Sequence, residues 1–286
     1  MRVDLHVHSN NSDGAFPPEE VARIARDAGL DGIALTDHDS TAGYETARAA
    51  GESLGLRVIP GSEISAVYQG SSVHILGYFL DTTHPRLVEE LEAIRDDRVW
   101  RAKGMIAKLN DLGVPVTFEQ VRAIAKGESI VRPHVAQAMV DLGVIESTVD
   151  AFTPDWILEG GRAYVEKKAL TPESAVTLIG EAGGVAVVAH PVWHPKTPEG
   201  QEELIDLLVP LGLAGIEVDH PDHDPETRAR FRALAGSRGL LATGSSDYHG
   251  NDHGGRIGEN TTAPEVLDAL ETLARERATA SRGGGS

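Results

Sequence analysis

Short apolar runs alternate with longer amphipathic segments along most of this chain. The runs that we predict to be strands are 2–6, 32–36, 56–60, 73–78, 185–189, 215–218 and 240–243. Strands that are separated in this way by helices form a parallel sheet or a barrel. The pattern therefore predicts an α/β fold, and 286 residues are enough for one barrel-sized domain with an insert.

Proline and glutamate mark where several helices begin. Pro18, Pro172 and Pro225 are each followed by glutamate. Both residue types are favoured in the first turn of a helix, so we predict helix starts at these three positions.

Between residues 84 and 168 the strand pattern stops. This stretch predicts helices over 86–112 and 133–142, and another helix whose Thr117 and Gln120 match a capping box. We predict a helical insert over the strand ends of a barrel. The expected boundaries are 1–83 and 169–280 for the two parts of the barrel, 84–168 for the insert and 281–286 for a flexible tail.

The composition limits the chemistry that this chain can support. There is no cysteine, so any metal must be bound by His, Asp and Glu. The formal net charge of −18 argues against binding of duplex nucleic acid, because that binding depends on Lys and Arg. No run predicts a signal peptide or a membrane span, so we expect a cytoplasmic protein.

Histidine and aspartate directly follow four of the apolar runs. The segments are Leu5-His6-Val7-His8, Thr36-Asp37-His38-Asp39, Ala189-His190-Pro191 and Ser246-Asp247-Tyr248-His249. Because side chains alternate along a strand, both imidazoles of the first segment lie on one face. Active sites of βα barrels gather at the carboxyl ends of the strands, so we expect one polynuclear metal site there.

The candidate metal ligands all lie at the end of a predicted strand or in the loop after it. They are His6, His8, Asp13, His38, Glu63, His74, His190, Asp247 and His249. Two of them have an alternative role. His74 can be a buried structural histidine, and Glu63 can cap the segment that follows it.

These motifs, in this order and at these spacings, resemble the polymerase-and-histidinol-phosphatase (PHP) domain phosphoesterases. The resemblance also rests on Ser12-Asp13-Gly14, Gly61-Ser62-Glu63 and Val73-His74-Ile75. It implies a distorted seven-stranded barrel that binds three divalent ions, Mn, Fe or Zn, of which we expect Mn. It further implies three ligand sets: His6, His8, Glu63 and Asp247; Glu63, His74 and His190; and Asp13, His38 and His249.

The segment Val131-Arg132-Pro133-His134 and the insert are most similar to the branch of this family that acts on nucleoside bisphosphates and short oligonucleotides. Arg132 has a planar guanidinium suited to phosphate oxygens, and His134 can add a donor beside it. The alternative for Arg132 is a solvent-facing residue at a helix start. Lys167 and Lys168 either face the cleft or belong to the surface.

The expected reaction is attack of water on phosphorus. Two divalent ions lower the pKa of a shared water to ~7, and a third ion, bound through Asp13, would hold a phosphoryl oxygen. Among His194, His220 and His223 we prefer His220 as general acid or phosphate donor, because it follows the predicted strand 215–218 at the same rim. Asp37 and Asp39 are expected either to orient a ligand imidazole or to cap a helix.

We therefore predict a metal-dependent phosphoesterase for small phosphorylated substrates. The favoured reaction is removal of the 3′-phosphate from nucleoside 3′,5′-bisphosphates, or cleavage of short 5′-phosphorylated oligonucleotides. Three alternatives stay open: a histidinol-phosphate phosphatase, a metal-dependent amidohydrolase and a non-catalytic nucleic-acid-associated module. Two-metal amidohydrolases commonly bridge their ions with a modified lysine, and we find no such lysine at a strand end.

Overall fold

The computed structural model describes residues 1–125, 130–166, 170–193, 195–250 and 255–283, with side chains as far as residue 279. The chain divides into two compact units, one of Met1–Leu91 with Ala169–Ser286 and one of Glu92–Lys168. The first unit contains the sheet, and the second is helical. Three candidate side chains from the sequence, Lys167, Lys168 and His194, lie outside the described residues.

Seven strands form one curled sheet, in which they follow one another in chain order. They are β1 (Val3–Val7), β2 (Gly32–Leu35), β3 (Arg57–Tyr68), β4 (Ser71–Tyr78), β5 (Val185–Val188), β6 (Leu213–Asp219) and β7 (Leu241–Gly244). The predicted α/β class and the seven strands are confirmed. Strands β1 to β3 are parallel, and so are β5 to β7.

Strand β4 runs antiparallel to both of its neighbours, so the sheet is mixed, a feature that the alternation of strands and helices did not predict. The reason is the length of β3, which continues to Tyr68 and turns back directly into β4. The two turn residues, Gln69 and Gly70, have φ of 48° and 80°. Positive φ at both central residues is typical of a tight hairpin turn, which replaces a helical crossover here.

The sheet curls until the segment after β7 lies beside β1. Val7 forms a parallel bridge with Tyr248, and the His8 N–H donates to the Tyr248 carbonyl at 2.9 Å. Thr262 also bridges to Val3. The distorted barrel is therefore closed by single bridges between β1 and the segments after β7, and not by a ladder of hydrogen bonds between β1 and β7.

Nine α-helices accompany the sheet over the described ranges. They are α1 (Pro18–Asp27), α2 (Tyr44–Leu54), α3 (Pro85–Asp111), α4 (Phe118–Ala125), α5 (Arg132–Asp141), α6 (Pro172–Glu181), α7 (Pro198–Leu208), α8 (Pro225–Arg238) and α9 (Pro264–Gly283). The three predicted helix starts at proline are confirmed. Helix α9 extends three residues into the tail that we expected to be flexible, and residues 284–286 lie outside the described residues.

Side chains of β1 alternate between an apolar and a polar environment. Val3 and Leu5 pack in a buried cluster with Leu267 of α9. Asp4 and His6 lie on the opposite face of the strand and are fully buried. The apolar face fixes the strand against a helix, and the opposite face carries buried polar groups that need partners.

The second unit has its own apolar core, which includes Leu109, Val121 and Met139. The side chains of Thr117 and Gln120 exchange hydrogen bonds with each other's backbone N–H groups, as the capping box predicts. The unit begins at Glu92, inside α3. No helix among the described residues is both long and apolar enough to cross a membrane.

Candidate metal centre

Strand direction explains why the predicted ligands meet at one rim of the sheet. His38 and His190 follow the carboxyl ends of parallel strands, whereas His74 lies near the start of β4. Because β4 is antiparallel, its start lies at the same rim. His74 pairs with Ser65, which is two residues from Glu63, so His74 and Glu63 share a face. The expectation that every ligand follows a strand end is therefore wrong for these two, which lie within strands.

The first predicted ligand set is assembled and buried. Nε2 of His6 lies 3.1 Å from a Glu63 oxygen and 3.2 Å from an Asp247 oxygen, and Nε2 of His8 lies 3.3 and 3.2 Å from the same two oxygens. Among the residues that the structure describes, neither Nε2 atom nor the Asp247 Oδ1 has a hydrogen-bond partner of suitable geometry. Buried polar atoms rarely lack partners, and this convergent His and carboxylate set fits a divalent cation.

The second predicted set is also brought together. Oε1 of Glu63 lies 2.7 Å from Nδ1 of His74 and 2.8 Å from Nε2 of His190. The two imidazole nitrogens are 3.4 Å apart. His38, which was predicted for the third set, contacts the other Glu63 oxygen at 3.1 Å through Nδ1.

The third predicted set surrounds Asp13, in the loop after β1. Its carboxylate oxygens lie 3.3 Å from Nε2 of His249 and 3.6 Å from Nε2 of His38. Nδ1 of His8 joins the group at 3.7 Å from Asp13. The four side chains can therefore face a single ion.

Glu63 interacts electrostatically with imidazoles from all three ligand groups. It is buried, which favours a neutral carboxyl, but the neighbouring imidazoles of His38, His74 and His6 outweigh burial and hold its pKa well below the usual range. Burial likewise opposes a charged His8, yet the adjacent carboxylates of Asp247 and Glu63 raise its pKa to about 10. The site attracts positive charge strongly, and a bound cation would take the place of these protons.

Three residues at the rim have a positive φ, which residues other than glycine seldom adopt. His190, Asp247 and Asp39 have φ of 22°, 51° and 50°. Such conformations persist only where the surrounding structure enforces them, and they are concentrated at functional sites. Here they direct two of the predicted ligands toward the cluster.

Glu217 is a supporting residue that the sequence analysis missed. It lies in the middle of β6, is fully buried, and accepts a hydrogen bond from Nδ1 of His6 at 3.0 Å and another from the His190 N–H at 2.6 Å. The first bond places the proton of a neutral His6 on Nδ1 and leaves Nε2 free to bind a metal. A glutamate inside the apolar run 215–218 was the available signal.

Two aspartates organise the loops that carry ligands. Asp4 accepts the N–H groups of Ser246 and Gly258 at 3.0 and 2.8 Å, and burial raises its pKa to about 6. Asp37 accepts the Ser9 N–H at 2.7 Å and the Ser12 hydroxyl at 2.8 Å. Both bonds fix the loop that leads to Asp13.

The expected role of Asp37 therefore needs correction, and the helix-cap alternative for Asp39 is wrong. Asp37 binds the loop after β1 instead of an imidazole or a helix start. Asp39 accepts the N–H of Ser65 in β3 at 2.7 Å, which joins the loop after β2 to the hairpin. Neither aspartate caps a helix, because α2 begins at Tyr44 and follows Gly43.

His220 lies at the rim as predicted. The Asp222 N–H donates to Nδ1 of His220 at 3.1 Å, so Nε2 carries the proton of the neutral ring, 3.5 Å from Asp247. Burial opposes the charged form, but Glu217 and Asp247 raise the His220 pKa. His223 is buried, and its Nδ1 donates to the Val218 carbonyl at 2.9 Å.

Arg132 and His134 belong to the second unit. The Arg132 guanidinium lies 5.5 Å from the centre of the Phe152 ring, and Nδ1 of His134 accepts the Val131 N–H at 3.2 Å. Both are partly exposed at the start of α5. Their binding of a phosphate stays a prediction.

Known proteins are similar in sequence to most of this chain. A 3′,5′-nucleoside bisphosphate phosphatase of Chromobacterium violaceum is 35% identical over 266 residues, which are 92% of this chain and 93% of that protein. A 5′-3′ exoribonuclease of Haemophilus influenzae is 32% identical over 87% of this chain and 90% of its own length. A phosphoribosyl 1,2-cyclic phosphate 1,2-diphosphodiesterase of Eggerthella lenta is 34% identical over 87% and 95%.

A solved structure and a family model agree with these relatives. The structure, from Bifidobacterium adolescentis and provisionally assigned as a metal-dependent phosphoesterase, has a TM-score of 0.83 and 32% identity over 95% of this chain and 96% of its own. The PHP domain model matches residues 4–102. This chain belongs to the PHP family of metal-dependent phosphoesterases.

Proposed function

We propose that this enzyme removes the 3′-phosphate from nucleoside 3′,5′-bisphosphates and also cleaves short 5′-phosphorylated oligonucleotides. It would use three divalent ions, with manganese preferred. The observation that carries the proposal is the cluster around Glu63, whose two oxygens contact imidazoles from all three predicted ligand sets. The 35% identical relative, a 3′,5′-nucleoside bisphosphate phosphatase, supports the substrate class.

The candidate ligands form three sets, one for each ion. His6, His8, Glu63 and Asp247 would hold one ion, Glu63, His74 and His190 a second, and Asp13, His38 and His249 a third. When bound, the ions supply a nucleophilic water and positive charge for the phosphoryl oxygens. Glu217 keeps the proton of His6 on Nδ1, which leaves Nε2 available as a ligand.

Asp13 and His220 are the candidate catalytic residues. Asp13 would fix the ion that holds a phosphoryl oxygen. Nε2 of His220 lies 3.5 Å from Asp247, a predicted metal ligand, so its proton would lie beside the bound phosphate. From there His220 could donate a hydrogen bond to the phosphate or a proton to the leaving alkoxide. Glu217 and Asp247 raise the pKa of His220, which favours the protonated ring that a general acid needs.

The 5′-phosphate would act as a handle for recognition. Arg132 would offer two parallel N–H groups to phosphate oxygens, and His134, at the start of the same helix, would add a donor beside it. Binding energy from this remote phosphate then assists the chemistry at the metals. We also expect no binding along a duplex, because the formal net charge is −18.

Comparison of adenosine 3′,5′-bisphosphate with adenosine 3′-monophosphate, assayed with Mn, tests the proposal. We expect a higher kcat/KM for the bisphosphate and release of the 3′-phosphate. Histidinol phosphate, a phosphoribosyl 1,2-cyclic phosphate and an amide substrate serve as competing substrates. Equal efficiency on the two adenosine nucleotides, or a clear preference for any competing substrate, would overturn the assignment.

Arg132→Ala tests the handle itself. A hydrogen bond to a charged group contributes about 1.5–3 kcal/mol, so we expect kcat/KM on the bisphosphate to fall by about 10- to 100-fold. The 3′-monophosphate should be affected only slightly, since it lacks the group that the guanidinium holds. Arg122→Ala, at an exposed position of α4, is the matched control and should change neither substrate.

A further inference from the structure

One large aromatic side chain at the rim is exposed without an assigned role. Trp193 lies in the loop after β5 and keeps 39% of its surface exposed. The centre of its ring is 3.9 Å from the centre of the His190 ring. One face of the indole therefore covers a predicted metal ligand, while a large part of the ring remains open to solvent.

Two neighbouring loops hold the indole in place. Its Nε1–H donates to Asp222 in the loop after β6 at 2.9 Å. Its backbone N–H donates to the His190 carbonyl at 3.1 Å, and its ring meets the His220 ring edge-on at 5.7 Å. The side chain is thus fixed before any ligand binds, which lowers the entropy cost of using it as a contact surface.

A purely protective role explains only part of this arrangement. An aliphatic side chain would shield His190 from water equally well and would need no hydrogen-bond anchor to Asp222. A flat aromatic ring that is fixed at its polar edge and keeps part of its surface open to solvent is typical of a stacking surface. The ring also adjoins both His190 and His220, the groups assigned to the metal and to the phosphate.

We propose that Trp193 is the surface on which the nucleobase of the substrate stacks, and that it selects nucleotides over phosphorylated molecules without a base. This inference rests on the proposed function. Bases stack on aromatic side chains through a π face that every base has, so all four bases should be accepted. Purines, with the larger face, should be favoured over pyrimidines.

The test compares adenosine 3′,5′-bisphosphate with 1,2-dideoxyribose 3,5-bisphosphate, which has both phosphates but no base. We expect Trp193→Ala to lower kcat/KM for the nucleotide about tenfold, equivalent to ~1.4 kcal/mol, and to leave the base-free substrate within twofold. Trp193→Phe should retain most of the activity on the nucleotide. Trp193→Leu, which preserves apolar cover over His190, should behave like the alanine variant.

A loss of the same size on both substrates, or full activity of Trp193→Leu on the nucleotide, would show that the indole only packs on His190. Binding gives an independent readout. Adenosine 5′-monophosphate should quench the tryptophan fluorescence of the zinc-loaded enzyme, and Trp193→Phe should abolish that change while Trp100 and Trp156 remain. If the wild type hydrolyses neither bisphosphate, the proposed function fails, and the quenching alone then decides whether Trp193 stacks with a base.

Discussion

Replacement of Glu217 by glutamine tests whether a carboxylate outside the predicted ligand sets controls metal binding. Oε1 of Glu217 accepts from Nδ1 of His6 and from the Ser245 hydroxyl, and Oε2 accepts from the backbone N–H of His190. Glutamine keeps the shape but has only one oxygen. An NH₂ group in place of Oε2 would face the His190 N–H, which cannot turn away. An NH₂ group in place of Oε1 would force the His6 proton onto Nε2, the atom that must bind the ion.

The structure allows the size of both effects to be bounded. Loss of the partner that orients a ligand histidine lowers metal affinity about 10- to 100-fold, or ~1.4 to ~2.7 kcal/mol. A buried donor left without an acceptor costs about 1–3 kcal/mol of folding free energy. We therefore expect Glu217→Gln to weaken binding of the ion at His6 by about 10- to 100-fold, and to lower the stability of the metal-free enzyme by about 1–3 kcal/mol.

Competition against a chelator at equilibrium measures the affinity, and thermal unfolding of the metal-free enzyme measures the stability separately. Asp219→Asn is the matched control, because Asp219 ends the same strand but forms a partly exposed ion pair with Arg232 at 2.7 Å. The control should bind metal like the wild type. If Glu217→Gln retains wild-type affinity and activity, the orienting role of Glu217 is refuted.

Three further predictions follow from the same contacts. Asp13→Asn should leave the melting temperature nearly unchanged but lower turnover by a factor of about 100 or more, measured by phosphate release, because the ion that holds a phosphoryl oxygen is misplaced. Burial lowers the His223 pKa to about 4, so the unfolded chain binds more protons between pH 4 and 6.5 and the free energy of unfolding rises with pH there. His223→Asn, which keeps a donor for Val218, should remove at most about 3 kcal/mol of this rise, as measured by denaturant titrations at the two pH values. Chelation should lower the melting temperature, by roughly the equivalent of 2.7 kcal/mol if the ion was present at 100 times its Kd; an unchanged melting temperature would contradict a bound metal.

Local patterns were sufficient to predict the strands and most helix starts. Apolar runs and proline followed by glutamate are readable without tertiary contacts, and the seven strands and Pro18, Pro172 and Pro225 agree with the structure. The β3–β4 hairpin was missed because the sequence analysis ended the third strand at residue 60. Gln69-Gly70, a short turn between two apolar runs, was the signal that could have indicated it.

The candidate ligands were predicted by motif, whereas their supporting residues were not. Glu217 supports His6, which is 211 positions away in the chain, and Asp4 supports Ser246, which is 242 positions away. No local pattern reports such pairs. A local pattern can also suggest a wrong partner. Asp37 is next to His38 in the sequence, which suggested a bond to an imidazole, but its carboxylate binds Ser9 and Ser12.

The most direct test of the account is a titration of the metal-free enzyme with Mn, in which bound metal and hydrolysis of adenosine 3′,5′-bisphosphate are measured on the same samples. Three adjoining ligand groups predict binding of up to three ions per chain, with activity that rises only as the second and third ions bind. Elemental analysis after removal of free metal gives the number. Full activity in the presence of excess chelator, or a plateau of both binding and activity at one ion per chain, would contradict the polynuclear phosphoesterase site.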